Sequence, residues 1–259
     1  SARLACWRGR VEVEPLSGGL SNRNYKVADA GMPYFVLLGT AVPEHGIQRR
    51  NEEISSRAAA AAGISPDVVH AGPGVLVFRF VAGRTLTPGD LRDPAMLPRV
   101  LDLVRRAHGQ IAPHIAGGGP QFRVFQVLRD YARTLHRGGS RLTPDLPRLM
   151  DAATRLEQAA GPAEVRFCHN DLLAANLIDD GKRLWLIDWE YGGFNSPLFD
   201  LGNLAANNEF TAAQMQWLLA SYDGSAPDAA RRRALGAMIC TSLLRETMWS
   251  MVQEIHSRL

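Results

Sequence analysis

His169-Asn170-Asp171-Leu172-Leu173-Ala174-Ala175-Asn176, followed by Ile187-Asp188-Trp189-Glu190-Tyr191, is the stretch that decides the reading of this 259-residue chain. It sets two carboxylates and an amide in the order Asp-x4-Asn-x11-Asp. An isolated Asp in a loop is usually a cap or a turn former. Four polar identities in register, each flanked by strand-like runs, form a far more specific signal. Arg166-Phe167-Cys168 reads as a short strand leading into a loop. Leu177-Ile178-Asp179 reads as a second strand, Asp180-Gly181 as a hairpin turn, and Leu184 to Ile187 as the returning strand. Such a hairpin carries Asn176 and Asp188 to the same end.

The constellation resembles the catalytic and metal-binding loops of kinase-fold phosphotransferases, which protein kinases write as H-R-D-L-x-x-x-N and D-F-G. From His169 to Phe210 it resembles the choline/ethanolamine kinases, within the wider aminoglycoside-phosphotransferase-like superfamily. The run Ile187-Asp188-Trp189-Glu190-Tyr191 with Pro197-x-x-Asp200-Leu201-Gly202-Asn203 carries most of that likeness. Weaker likeness extends upstream. Leu16 to Asn22 is similar to the family's nucleotide loop, and Ile47 to Glu52 to its I-x-R-x-x-E helix start.

The resemblance implies an α+β, two-lobed protein-kinase-like fold. Residues 1–81 are expected to form a small β-rich nucleotide-binding lobe, and residues 82–259 a larger, mainly helical catalytic and acceptor-binding lobe. The implied reaction is ATP-dependent, in-line phosphorylation of the hydroxyl of a small amino alcohol. Asp171 is then the base that takes or orients the hydroxyl proton. Asn176 and Asp188 hold Mg²⁺, which keeps most of its waters and needs few protein oxygens. His169 orients the loop. Gly18, Gly19, Ser21 and Asn22 cover the phosphates with backbone and side-chain donors, and Glu52 completes the nucleotide site.

One departure matters. The family places a Lys or Arg on the third strand, which pairs with the helix Glu and reaches the phosphates. Here that position reads Leu37, and no Lys or Arg lies between Val27 and Gln48. Lys26, Arg23 and Arg49 are the cations that can substitute. The alternative is a catalytically silent nucleotide- or ligand-binding member.

A quaternary ammonium has no N–H donors and is recognised by aromatic faces and carboxylates. Trp189, Glu190 and Tyr191 follow the second Asp, while Glu246 and Trp249 lie three apart on a late helical stretch. By resemblance these bind the acceptor, with choline first and ethanolamine next. Thiamine and aminoglycosides are the alternatives within the superfamily. The resemblance also implies further chain beyond Trp249.

Composition bounds the rest. The chain is 46% hydrophobic and 21% charged, with net charge +3, as in an ordinary globular protein. Arg231-Arg232-Arg233 is too short for a nucleic-acid arm and reads as a solvated helix face. Cys6, Cys168 and Cys240 are odd in number and lack CxxC spacing, which points to a reducing, cytoplasmic setting without disulfides or structural zinc. No apolar run reaches the ~18 residues that span a membrane. Further strands are expected at Glu12–Leu16, Asn24–Val27, Tyr34–Leu38 and Val75–Val81. Helices are expected at Arg49–Ala62, around Leu97–Val104, and at Val124–Arg137, Leu146–Ala160, Ala212–Tyr222 and Ala229–Arg258.

Overall fold

The computed structural model describes residues 4–16, 22–162 and 164–256. Five strands, β1 (Val11–Leu16), β2 (Arg23–Asp29), β3 (Met32–Leu38), β4 (Val68–Gly72) and β5 (Val75–Arg79), form one antiparallel sheet in the order β1-β2-β3-β5-β4. Helix α1 (Arg49–Ala61) connects β3 to β4. Alternation divides the sheet's residues between two faces. Val27, Val36, Val75 and Val77 pack on one, under Trp7 and Tyr34. Leu37, Leu76 and Phe78 cluster on the other, with Phe35 and Val68 against them.

The β2–β3 hairpin pairs Asp29 with Met32 across a two-residue turn, Ala30-Gly31, and both residues have positive φ (49° and 80°). That geometry matches the strand twist but suits Asn or Gly better than Ala, whose Cβ crowds the following carbonyl. Ala30→Gly is therefore expected to stabilise the protein by roughly 0.5–1 kcal/mol. Urea unfolding measures this; a loss of stability would show that Ala30 makes a contact that offsets its strained backbone.

Past β5 the chain becomes helical. A short strand β6 (Arg84–Thr85) leads to α2 (Pro88–Arg92), α3 (Leu97–Gln110), α4 (Val124–Arg137) and α5 (Leu146–Ala160). Thr87 and Asp90 form a reciprocal capping box at the start of α2. Then come four short strands, β7 (Arg166–Cys168), β8 (Leu177–Asp179), β9 (Leu184–Leu186) and β10 (Gly193–Asn195). They pair as β6-β8-β9 and as β10-β7. Helices α6 (Pro197–Asn207), α7 (Ala212–Asp223) and α8 (Ala229–His256) follow.

The expected helical spacing of α3 holds: Leu97, Val100, Leu101 and Val104 are all buried. Helix α6 is buried from Pro197 to Ala205, with Asp200 and Asn203 enclosed among its apolar residues. The 28-residue α8 lies on it. Gly202 permits this close crossing, because a Cβ there would meet the backbone of Met238 and Ile239 within 2.8 Å. Among the described residues no helix is long and apolar enough to cross a membrane.

Several elements depart from the sequence expectation. β4 was not foreseen, because Val-Val-His-Ala-Gly is a half-exposed edge with little alternation. β6, α2 and β10 are too short to carry a periodic signal. The expected end of the last helix, at Arg258, falls outside the described residues.

Candidate active site

The loop after β7 is built around a buried carboxylate. Asp200, in the first turn of α6 and 1% exposed, accepts from the backbone N–H of His169 (2.8 Å) and of Asn170 (2.7 Å), and pairs with His108 Nε2 (3.0 Å). Asn170 turns the chain with φ 68°. Its amide Nδ2 donates to the carbonyls of Cys168, Tyr191 and Gly193, and its Oδ1 accepts from Asn195. Asn203 Oδ1 accepts from Leu172 N–H. Residue 171 is thus held from both sides by side chains of α6 and the 191–195 segment. His108, Cys168 and Asp200 bring potential metal-ligating atoms within 4.8 Å of one another. Hydrogen bonds already occupy both His108 nitrogens and both Asp200 oxygens, so the trio serves as a buried network.

His169 ties this loop to the second one. Its Nε2 meets the Ile187 carbonyl at 2.9 Å, and its Nδ1 faces the Asp171 N–H at 3.3 Å. Both ring nitrogens are therefore committed to position. Asn176 donates through Nδ2 to the Asp171 carbonyl (3.0 Å), and its own carbonyl accepts from Ile187 N–H (2.9 Å). Asp171, Asn176 and Asp188 are drawn together in this way, with Asp188 in a left-handed turn at φ 67°.

Asp188 is solvent-exposed on one side, with dense protein around the rest. That surrounding protein, and then the like charges of Glu190, Glu52 and Asp171, push its carboxyl well above the usual range, while Arg49 pulls it down. A divalent cation would relieve this crowding. The donors present are carboxylate and amide oxygens, the hard ligands that Mg²⁺ prefers, and Asn176 keeps its Oδ1 available because only Nδ2 is engaged. The residues fit the ion.

Opposite them stands α1. Glu52, 1% exposed, is raised by burial and pulled back by Arg49, whose Nη1 lies 2.5 Å from its Oε2. Arg49 also reaches Glu190 Oε2 (3.7 Å) and donates to the Thr40 carbonyl. Its guanidinium and Asn22 Oδ1 both crowd the Cα of Gly39, at the end of β3, where any side chain would collide with them. Ser55 of α1 donates to the Gly192 carbonyl, and Gly192 has no Cβ to obstruct that approach.

Strand register sorts the three substitute cations. Lys26 lies opposite Phe35 and Asn24 opposite Leu37, so both share the Leu37 face. Arg23 lies opposite Leu38 and belongs to the other face. Lys26 sits 5.1 Å from the Phe80 ring, and Leu37 itself is buried among apolar neighbours. Gly18, Gly19 and Ser21 lie outside the described residues.

The expected acceptor residues divide. Tyr191, Glu246 and Trp249 converge: Trp249 Nε1 donates to Tyr191 Oη at 2.9 Å. Trp189 lies in the core at 1% exposure, stacked on Phe167 and edge-on to His169, so it supports the loops from behind. Glu190 turns toward Arg49. The sequence reading assigned no role to Asn170, Asp200 and Asn203, although all three lie within the segment that carried the resemblance. It also missed Arg245, His45 and Tyr131, and these have no local signal.

The family model for choline/ethanolamine kinase matches residues 13–220. Protein LicA of Haemophilus influenzae is 26% identical over 210 residues, covering 79% of this chain and 61% of that protein. A probable ethanolamine kinase of Arabidopsis thaliana is 30% identical over 212 residues, 74% of this chain and 54% of its own length. The chain therefore spans little more than half the length of these relatives. A crystal structure of a choline/ethanolamine kinase family protein from Mesorhizobium loti superposes with TM-score 0.76 at 30% identity, covering 98% of this chain and 83% of that one.

Proposed function

The chain belongs to the choline/ethanolamine kinase family, and from that premise we propose that it transfers the γ-phosphoryl group of ATP to the hydroxyl of a small amino alcohol. The observation that carries the reading is the convergence of Asp171, Asn176 and Asp188 through the Asn176 and His169 bridges. Asp171 accepts the hydroxyl proton as the oxygen attacks phosphorus in line. Asn176 and Asp188 would hold Mg²⁺, which would supply charge neutralisation at the phosphates. His169 positions the catalytic loop. On this reading residues 1–81, with the sheet and α1, form the nucleotide side. The family's name supports choline and ethanolamine as the first acceptors to try. Release of ADP from Mg-ATP, with choline, ethanolamine, thiamine and kanamycin tried in parallel, tests the reading. Turnover with kanamycin alone would move the acceptor outside the amino alcohols.

Arg49 is the cation that compensates for Leu37. It stands beside Glu52, as the strand cation would, and next to the Asn22 end of the nucleotide loop. Arg49→Met is expected to weaken ADP binding at least ten-fold, about 1.4 kcal/mol, whereas Arg23→Ala, on the opposite face, leaves it within about two-fold. Calorimetric titration of ADP decides this. Equal losses in the two variants would remove Arg49 from the phosphate site.

A further inference from the structure

The segment between β3 and α1 reaches from the sheet to the late helices. Val42 N–H donates to the Ile47 carbonyl (3.0 Å) and Ile47 N–H to the Val42 carbonyl (3.1 Å), which closes a short loop at its neck. One tight helical turn, Pro43–His45, fills the loop, and Gly46 turns the chain back at φ 73°. A Pro-Glu-His-Gly turn ordinarily lies in solvent, yet His45 is buried here, against α4 and α8. Its ring stacks on Trp249 of α8, with centroids 4.7 Å apart and planes at 27°. It meets the Tyr131 ring of α4 edge-on at 6.2 Å. Its Nε2 donates to Gln253 Oε1 at 2.8 Å.

Both ends of the loop lead into the site. Its stem runs through Gln48 to Arg49, whose Nε donates to the Thr40 carbonyl on the opposite stem (2.8 Å) and whose Nη1 pairs with Glu52 (2.5 Å). Its tip covers one face of the Trp249 ring, and Trp249 Nε1 donates to Tyr191 Oη at 2.9 Å. Trp249 is only partly buried, so the stacked His45 ring does much to fix its plane. A continuous chain of packed and hydrogen-bonded groups therefore joins the cation assigned to the phosphates with an aromatic residue assigned to the acceptor.

We propose that His45 is a positioning residue that couples the two substrates: nucleotide on Arg49 steadies the 42–47 loop, and the loop holds Trp249 in the plane that meets the acceptor's ammonium group. The proposal rests on the phosphotransfer reading above and on the roles it gives Arg49 and Trp249. His45 itself touches no reacting atom. Coupling of this kind is reciprocal, so the acceptor tightens the nucleotide by the same factor.

Calorimetric titration of choline, with and without saturating Mg-ADP, reads the coupling in the wild type, His45→Ala and His45→Phe. Mg-ADP is expected to tighten choline at least ~5-fold in the wild type. Attraction between the ammonium group and bound phosphates acts in every variant alike, so the decisive quantity is the change in that factor. It should fall at least ~3-fold in His45→Ala, and His45→Phe, which keeps a ring without the hydrogen bond, should retain part of it. Gln253→Ala frees the same ring without altering the loop; it should also lower the factor, and it serves should His45→Ala fail to fold. A residue that only stabilises the fold would weaken choline equally with and without nucleotide. An unchanged factor in the folded variants, or choline binding that ignores Mg-ADP in the wild type, overturns the proposal. Fluorotryptophan labelling gives a readout that needs no acceptor. With the Trp249 fluorine resonance identified through Trp249→Phe, Mg-ADP should shift it in the wild type and not in His45→Ala. Bound ADP that leaves the resonance in place, or shifts it equally in both, overturns the proposal. ADP release by the same preparations judges the phosphotransfer reading separately. Turnover without coupling strikes only the proposal, coupling without turnover strikes only the reading, and protein that binds no ADP strikes both.

Discussion

Asp171→Asn is expected to reduce acceptor-dependent ADP release by at least ~10³-fold while leaving nucleotide binding and the unfolding temperature near wild type. The substitution removes the proposed proton acceptor and changes little else. The backbone of residue 171 is fixed by its N–H to His169 and by its carbonyl to Asn176, and neither contact uses the carboxylate. The carboxylate's own hydrogen bond is to Arg245, and an amide oxygen preserves part of it. Activity and binding should therefore separate: turnover is lost, ADP still titrates, and the thermal transition stays in place. Turnover of Asp171→Asn within ten-fold of wild type would move the base elsewhere. Equal loss of nucleotide binding would instead assign Asp171 to the phosphate site.

Asp200→Ala has the second largest expected effect, on stability rather than chemistry. It would leave two buried backbone N–H groups without an acceptor and take away a partner of His108. Removing one member of a buried hydrogen-bonded network typically costs ~3–5 kcal/mol, which for a chain of this size lowers the melting temperature by roughly 10 °C. The loop that carries Asp171 hangs on those two N–H groups, so activity should fall in any fraction that remains folded. Asp200→Asn keeps one acceptor oxygen and should fall between wild type and Ala. Differential scanning calorimetry of the three proteins gives the order. A loss below about 1 kcal/mol for Asp200→Ala would mean that water replaces the carboxylate there.

Much of the fold was legible because long helices repeat their signal. The expected limits of α4 and α5 coincide with the observed ones, Val124–Arg137 and Leu146–Ala160. The β8–β9 hairpin followed from its Asp-Gly turn. The short pieces were not legible. β10 is three residues long and exists because β7 and the Pro120 region supply its partners from far along the chain. Trp189 shows a related limit within the site. Its neighbours in sequence, Asp188 and Glu190, stand in the field of Arg49, but its own ring packs on Phe167, and burial of a tryptophan is set by what lies opposite it.

The sequence by itself determined the order of chemistry. Asp171, Asn176 and Asp188 are fixed by spacing along one short hairpin, where local geometry leaves few arrangements, and the absence of a strand cation could be read directly at Leu37. Tertiary structure alone decided which groups stand in one another's fields. Arg49 stands between Glu52 and Glu190 because α1, which carries it, docks on the 191–192 turn. Arg245 covers Tyr191 because α8 crosses α6 at Gly202. Such contacts join residues tens to two hundred positions apart, and their energies depend on burial and on distances of a few ångströms. No local pattern encodes either quantity, so the loops that carry Asp171, Asn176 and Asp188 were readable from the chain, and the charges packed around them were not.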